Sequence, residues 1–427
     1  MHRPLILSLV VCACGPGPFV PTHPPRDAGV DAGADAGRPD AGGGDAGALD
    51  AGPAEPITTP VGTWTWVPVD GSECGAGARA GLGINRASGS DELFLFLQGG
   101  GACWNTGTCV PSFQQFGPLC DYGNICLLDA AGANQPTATH VTEPDPFPSD
   151  GGGWFPRELA TIERSLALDR TRPENPFRDA TFVYVPYCTG DLHAGAATKD
   201  YLYKPGAFDQ PRTFTMHFSG AKNMDAYLAR LKATLPDVKR IWLTGVSGGA
   251  FGATLNLDRV RRAFPNAEVH LLADSGPFVP TPHFDQWMSE WKLQTPVGCT
   301  DCDAGFPSIA AHLSTTWPDS RLALLSYDED KVISWFFYAP PGAANFLNPP
   351  TQTFKTNLGA LEDRADLTMN AKYFVVPGTE HVLFGDYGVT QADGGLSAPR
   401  RSRDGGTDLR AWINAWATGD AGWQSTR

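Results

Sequence analysis

Through the body of the chain, short runs of continuously apolar residues alternate with stretches whose apolar positions recur every three to four residues. The runs at 93–97, 181–185, 240–244, 269–272, 322–326 and 373–376 lack the polar–apolar alternation of a half-exposed strand. They are bounded by Gly, Pro or polar residues, which is how strands buried on both faces read. Met224, Tyr227, Leu228 and Leu231 keep the i, i+3, i+4, i+7 spacing of one helix face, and so do Leu409, Trp412, Ile413 and Trp416. Strands alternating with helices predict an α/β fold with a doubly wound, mostly parallel sheet. The Pro- and Gly-rich stretches 111–156 and 277–307 interrupt the pattern. They read as long loop insertions, the walls of a substrate cleft.

The pattern changes character before residue 57. Arg3, a mostly apolar stretch over 4–12 and the small residues after it predict an export signal over 1–14. Val11-Cys12-Ala13-Cys14 resembles a bacterial lipoprotein cleavage box, with lipidation at Cys14. Residues 15–56 are largely Asp, Ala, Gly and Pro, and Asp-Ala-Gly occurs six times. Too little apolar surface is available there to offset chain entropy, so the segment predicts a disordered tether with a mean span of roughly 35–40 Å. A single catalytic domain is expected over 57–427. No later stretch approaches the roughly 18–20 apolar residues that cross a bilayer, so membrane contact is expected only through the N-terminal anchor. The expected location is extracytoplasmic, as an anchored lipoprotein or a secreted protein.

Charge and cysteines narrow the picture. Of the net charge of −14, Arg3 carries +1 and residues 15–56 carry −5, leaving −10 on the domain. An acidic domain without a basic run argues against nucleic acid as a partner. Beyond Cys12 and Cys14 stand Cys74, Cys103, Cys109, Cys120, Cys126, Cys188, Cys299 and Cys302. An even number in an exported chain predicts up to four disulfides. Cys299-x-x-Cys302 has half of a zinc-site spacing, but no second pair accompanies it. No metal and no cofactor is expected.

The sharpest chemical signal runs from Ile241 through Gly245-Val-Ser247-Gly-Gly249 to Arg259: a strand, then Gly-x-Ser-x-Gly, then a helical pattern. In this context the motif forms a nucleophile elbow and makes the sheet α/β-hydrolase-like. Serine needs a base, and the base needs an orienting acid. Four histidines follow Ser247: His270, His283, His312 and His381. His270 lies within a strand run and reads as core. His381 follows the run 373–376 through a loop at a strand's C-terminal end, where catalytic groups collect, and is the preferred base. Asp328 and Asp330 both follow the run 322–326 and are both candidates for the acid. The run 93–97 ends in Gln98-Gly99-Gly100-Gly101-Ala102. Amides of Gly100, Gly101 and Ala102, with that of Gly248, are expected to form an oxyanion hole.

Together these segments resemble the pectin acetylesterase/Notum family of serine carboxylesterases. The resemblance rests on Gly99-Gly-Gly-Ala-Cys103, Val185-Pro-Tyr-Cys188-Thr-Gly-Asp191, Gly245-Val-Ser-Gly-Gly249 with Asn256-Leu-Asp-Arg-Val260, Tyr327-Asp328 and Glu380-His381. It implies a triad of Ser247, Asp328 and His381, a Cys74–Cys188 disulfide and a short Cys103–Cys109 loop. Members of the family remove acetyl groups from pectin or a fatty acyl group from a signalling protein, without metal. The expected partner is therefore an ester substrate, with acetylated polysaccharide as one class. Three positions depart from the family pattern: Gly101-Ala102 where Trp is common, Gly248 where Ala is usual, and Glu380 where Cys often stands. These touch the acyl pocket more than the triad. The rival readings are an acyltransferase and a catalytically inactive surface-binding protein on the same scaffold.

Overall fold

The computed structural model describes residues 54–109, 165–203, 210–339, 348–365, 370–384, 398–403 and 405–426, together with residue 396 and the strand pair 127–128 and 134–135. The export signal, Cys14, the tether up to residue 53, Cys120, Cys126 and most of the 111–156 insertion lie outside the described residues.

An eight-stranded sheet organises the domain. Its strands are β1 (Trp64–Glu73), β2 (Arg79–Asn85), β3 (Glu92–Leu97), β4 (Thr181–Val185), β5 (Arg240–Val246), β6 (Glu268–Asp274), β7 (Leu322–Tyr327) and β8 (Ala371–Val376). They lie in the order β1-β2-β4-β3-β5-β6-β7-β8. β1–β2 and β2–β4 pair antiparallel, and every pairing from β4–β3 to β7–β8 is parallel. This is the mostly parallel α/β-hydrolase-like sheet expected from the sequence. The helices used below are α1 (Gly220–Thr234), α2 (Gly248–Ala263), α3 (Phe284–Trp291), α4 (Phe306–Thr316), α5 (Lys331–Tyr338), α6 (Thr351–Ala365) and α7 (Leu409–Thr418).

The continuous apolar runs have a direct physical cause, since alternate residues of one strand serve opposite cores. Leu93, Leu95 and Leu97 of β3 join one cluster with Met224, Tyr227, Leu228 and Leu231 of α1. Phe94 and Phe96 join the other, with Leu409, Trp412, Ile413 and Trp416 of α7. Each fully buried side chain of this size contributes roughly 1.5–3 kcal/mol.

β1 and β2 carry no such run. β1 contains Pro68, Asp70 and Gly71 and is half-exposed at the sheet edge, where a proline can be tolerated. The hairpin Ala197–Tyr203 and Arg212–Phe218 is likewise exposed on one face. The 277–307 stretch is less loop-like than expected. It contains α3, a 3-10 turn at Cys302–Ala304 and the first two residues of α4.

Candidate active site

Ser247 follows β5 directly and precedes α2. Its backbone stands at φ 54° and ψ −126°, a conformation an L-residue holds only when its surroundings enforce it. The enforcing contacts come from the glycines. A Cβ on Gly249 would collide with the carbonyls of Leu97 and Gln98, and one on Gly245 would collide with Gly249 itself. The Ser247 amide donates to the Asp274 carbonyl at the end of β6 (2.8 Å). The sequence places the hydroxyl-bearing residue at a helix N-terminus, where dipole and amide donors favour developing negative charge.

His381 lies in the loop after β8. Its Nδ1 is 2.8 Å from Asp330 Oδ2, with the two side chains 9% and 0% exposed. A carboxylate can only accept, so Nδ1 carries the proton and Nε2 the lone pair. Nε2 is buried and has no hydrogen-bond partner among the described residues. Burial disfavours the imidazolium, but the charge and hydrogen bond of Asp330, with the charge of Asp274, outweigh it. The His381 pKa is therefore raised above its ordinary value.

The expectation that Asp328 pairs with His381 is corrected by this geometry. Asp328 Oδ2 lies 3.0 Å from Lys355 Nζ and 3.6 Å from Arg403 Nε, while Oδ1 accepts from the Gly378 amide. Its carboxylate faces α6 and the C-terminal segment, and ties the 378 turn to the end of β7. Asp330 instead caps α5: its Oδ1 accepts from the Val332 and Ile333 amides at 2.9 and 3.0 Å. A carboxylate is favoured at a helix N-terminus, and the capping bonds fix its direction.

Three residues beside the site were not singled out in the sequence. Asp274, at the C-terminal end of β6, accepts from the Leu383 and Phe384 amides, and the Ser275 hydroxyl accepts from the Val382 amide. Burial pushes the Asp274 carboxyl up to about 6. The signal available was position: Asp274-Ser275 follows a buried strand at the sheet's C-terminal edge. His193, buried, donates from Nε2 to the Gln98 carbonyl (2.8 Å), since a carbonyl can only accept, and burial lowers its pKa to about 4 and keeps it neutral. The Tyr187 amide donates to the Gln98 side chain. These bonds brace the base of the glycine loop.

A small pocket adjoins Ser247. Gly101, Ala102, Leu192, Gly248, Phe251, Trp287, Ile333, Phe336 and Phe337 complete its lining, and Gly100 is not among them. A Cβ on Gly248 would stand 2.9 Å from the Gly101 carbonyl, so glycine at 248 lets the loop lie against the elbow. Trp104 packs against Trp287 and Phe336, with ring centroids 5.7 and 5.8 Å apart. Trp287 thus brings the 277–307 stretch to the cleft. A larger groove of about 570 Å³ lies at the far end of α2, lined by Leu228, Leu255 and Val297 among others. Its arginines are engaged, Arg259 with Asp225 and Arg262 with Asp258.

Cys74–Cys188, Cys103–Cys109 and Cys299–Cys302 are disulfide-bonded. The last bond agrees with the disulfide reading of Cys299-x-x-Cys302. His270 is buried, its Nδ1 accepting from the Arg321 amide, as a core histidine.

Comparison with known proteins shows what the chain resembles. Residues 158–294 match the family described as Pectinacetylesterase. The chain is similar over this region to the pectin acetylesterase/Notum family. Among its relatives is human palmitoleoyl-protein carboxylesterase NOTUM, 25% identical over 213 residues, 48% of this chain and 34% of the human protein. The Drosophila melanogaster carboxylesterase NOTUM is 22% identical over 253 residues, 55% of this chain and 32% of that protein. The match thus spans about a third of the length of these curated relatives. A solved structure of the Wnt deacylase Notum from Drosophila is similar in fold, with TM-score 0.52 and 18% identity, covering 84% of this chain and 94% of that one.

Proposed function

We propose that the chain is a serine ester hydrolase selective for short acyl groups, with Ser247 as nucleophile, His381 as base and Asp330 as orienting acid. The observation that carries this reading is the strained Ser247 backbone beside a small apolar pocket roofed by the Gly101-Ala102 loop. Strain at one residue persists only where the surrounding structure over-determines it, and such residues cluster at reactive sites. The family's named carboxylesterases support the reaction class.

In the proposed mechanism, Ser247 Oγ attacks the ester carbonyl carbon while its proton passes to His381 Nε2. Amides of Gly248 and of the Gly101-Ala102 segment hold the oxyanion. Collapse breaks the carbon–oxygen bond of the ester, and His381 returns the proton to the departing alkoxide. Water then attacks the acyl-enzyme, giving its proton to His381, and the carboxylic acid leaves as Ser247 is reprotonated. Asp330 holds the productive tautomer and stabilises the imidazolium.

Pocket size favours a short acyl group. The free space beside Ser247 is about 20 Å³, against the roughly 10–15 Å³ that one water requires. As formed by the described residues, that space suits an acetyl methyl better than a long acyl chain. Acetylated carbohydrate is the substrate class that best joins this pocket to the pectinacetylesterase match. The sequence of residues 1–56 further suggests an exported enzyme tethered through Cys14, and the three disulfides fit an oxidising compartment. Initial rates on p-nitrophenyl esters of two to sixteen carbons test the selectivity. Preference for two to four carbons is expected, and a maximum at twelve or more would overturn it. Acetate released from acetylated polysaccharide tests the alcohol side.

A further inference from the structure

The two reacting side chains proposed above come from segments far apart in sequence, and a single residue is bonded to the backbone of Ser247 and to the backbone that follows His381. The carbonyl of Asp274 accepts the Ser247 amide at 2.8 Å. Its side chain reaches the other way, into the segment that follows His381. Oδ2 accepts from Leu383 N at 2.9 Å and Phe384 N at 2.5 Å, and Oδ1 accepts from Leu383 N at 3.0 Å. The next residue adds a fourth bond, Val382 N to Ser275 Oγ at 3.0 Å, and the Ser275 hydroxyl lies 3.1 Å from Asp274 Oδ1. Both residues are fully buried. Val382 stands at φ 72°, where a β-branched residue is strained, so the turn carrying His381 is held from outside rather than by its own preference.

We infer that Asp274, aided by Ser275, is a positioning residue that sets the separation of the Ser247 nucleophile and the His381 base. The inference rests on the triad reading above and adds a residue that no triad motif contains. A core apolar residue at the end of β6 would fill the same space. A buried carboxylate is costly unless its lone pairs are met by donors, and here the donors are the His381 turn itself. The clamp is therefore specific to the turn it holds. Among the described residues, the charged groups that act on His381 are Asp330 and Asp274. Removing the Asp274 charge thus changes the imidazole's titration as well as its place, a signature that a purely structural residue would not give.

The test uses the full chain with Asp274→Asn, Ser275→Ala and Ser247→Ala, assayed for kcat and KM on p-nitrophenyl acetate across pH 5–9. A misplacement on the ångström scale costs about 10²-fold in turnover, so Asp274→Asn should lose about that much in kcat while KM stays within about threefold. Its acid limb should move to lower pH, because His381 loses a carboxylate that favours the imidazolium. Ser275→Ala should lose about 10-fold in kcat with the limb in place, since it removes one bond and no charge. Wild-type kcat in both variants, or a kcat loss in Asp274→Asn with an unmoved limb, overturns the inference. Should Asp274→Asn fail to fold, Ser275→Ala decides alone, and wild-type kcat there overturns it. If Ser247→Ala remains active in the same assay, the triad reading fails instead, and the two failures are told apart.

Discussion

Asp330 meets two sets of donors with its two oxygens, the first amides of α5 on one side and the His381 ring on the other. Because the helix start fixes the carboxylate, the carboxylate fixes the imidazole tautomer. Asp330→Asn should therefore lower kcat on the order of 10⁴-fold, the scale on which an amide at this place enforces the wrong tautomer. Asp328→Asn should leave kcat within about 10-fold and weaken the fold by about 1–3 kcal/mol, as Lys355 and Arg403 lose the charge they face. Parallel kinetics and denaturant unfolding of the two variants check this; the reverse pattern would restore Asp328 as the acid. The pH dependence belongs to the same pair. Activity needs neutral His381, whose pKa is raised in the fold, so kcat/KM should fall as pH drops through a value above the ordinary 6.5. The sign for stability is opposite. A raised histidine pKa contributes stability fully present below the unfolded value and lost as pH rises through the folded one. The pair thus steadies the fold most where the enzyme is least active.

Among the elements, α5 joins the acid to the acyl pocket: Asp330 caps its start, and Ile333, Phe336 and Phe337 from its body line the space beside Ser247. Phe336→Ala should enlarge that space and raise the rate ratio of hexanoyl to acetyl p-nitrophenyl esters by roughly 10-fold or more. An unchanged ratio would mean that another wall limits chain length. This helix also marks where the sequence was legible and where it was not. β3, β5 and β7 were readable because parallel strands buried on both faces are apolar at nearly every position. α1 and α7 were readable because each buries one stripe. Lys331–Tyr338 is apolar nearly all round and only eight residues long, so its periodicity was silent and its capping Asp330 was indistinguishable by spacing from Asp328. The Gly-x-Ser-x-Gly elbow was plain because steric exclusion at 245 and 249 leaves no other residue. Asp274 was hidden because its partners are backbone amides, which no sequence motif records.

At the scale of the whole molecule, the Cys74–Cys188 bond links the end of β1 to the segment after β4, closing a loop of sequence separation 114. Replacing both cysteines by alanine should cost about 2–5 kcal/mol of unfolding free energy; a loss below about 1 kcal/mol would show that the sheet holds these ends without it. The entire arrangement, from tight elbow to clamped histidine turn, converges on one atom, the Ser247 hydroxyl oxygen. Treatment of the full chain with a fluorophosphonate, followed by peptide mass spectrometry and assay of Ser247→Ala on p-nitrophenyl acetate, tests that most directly. The account predicts a single covalent adduct on Ser247 and at least about 10³-fold lower turnover in the variant. An adduct on another residue, or near-normal turnover without the Ser247 hydroxyl, would contradict it.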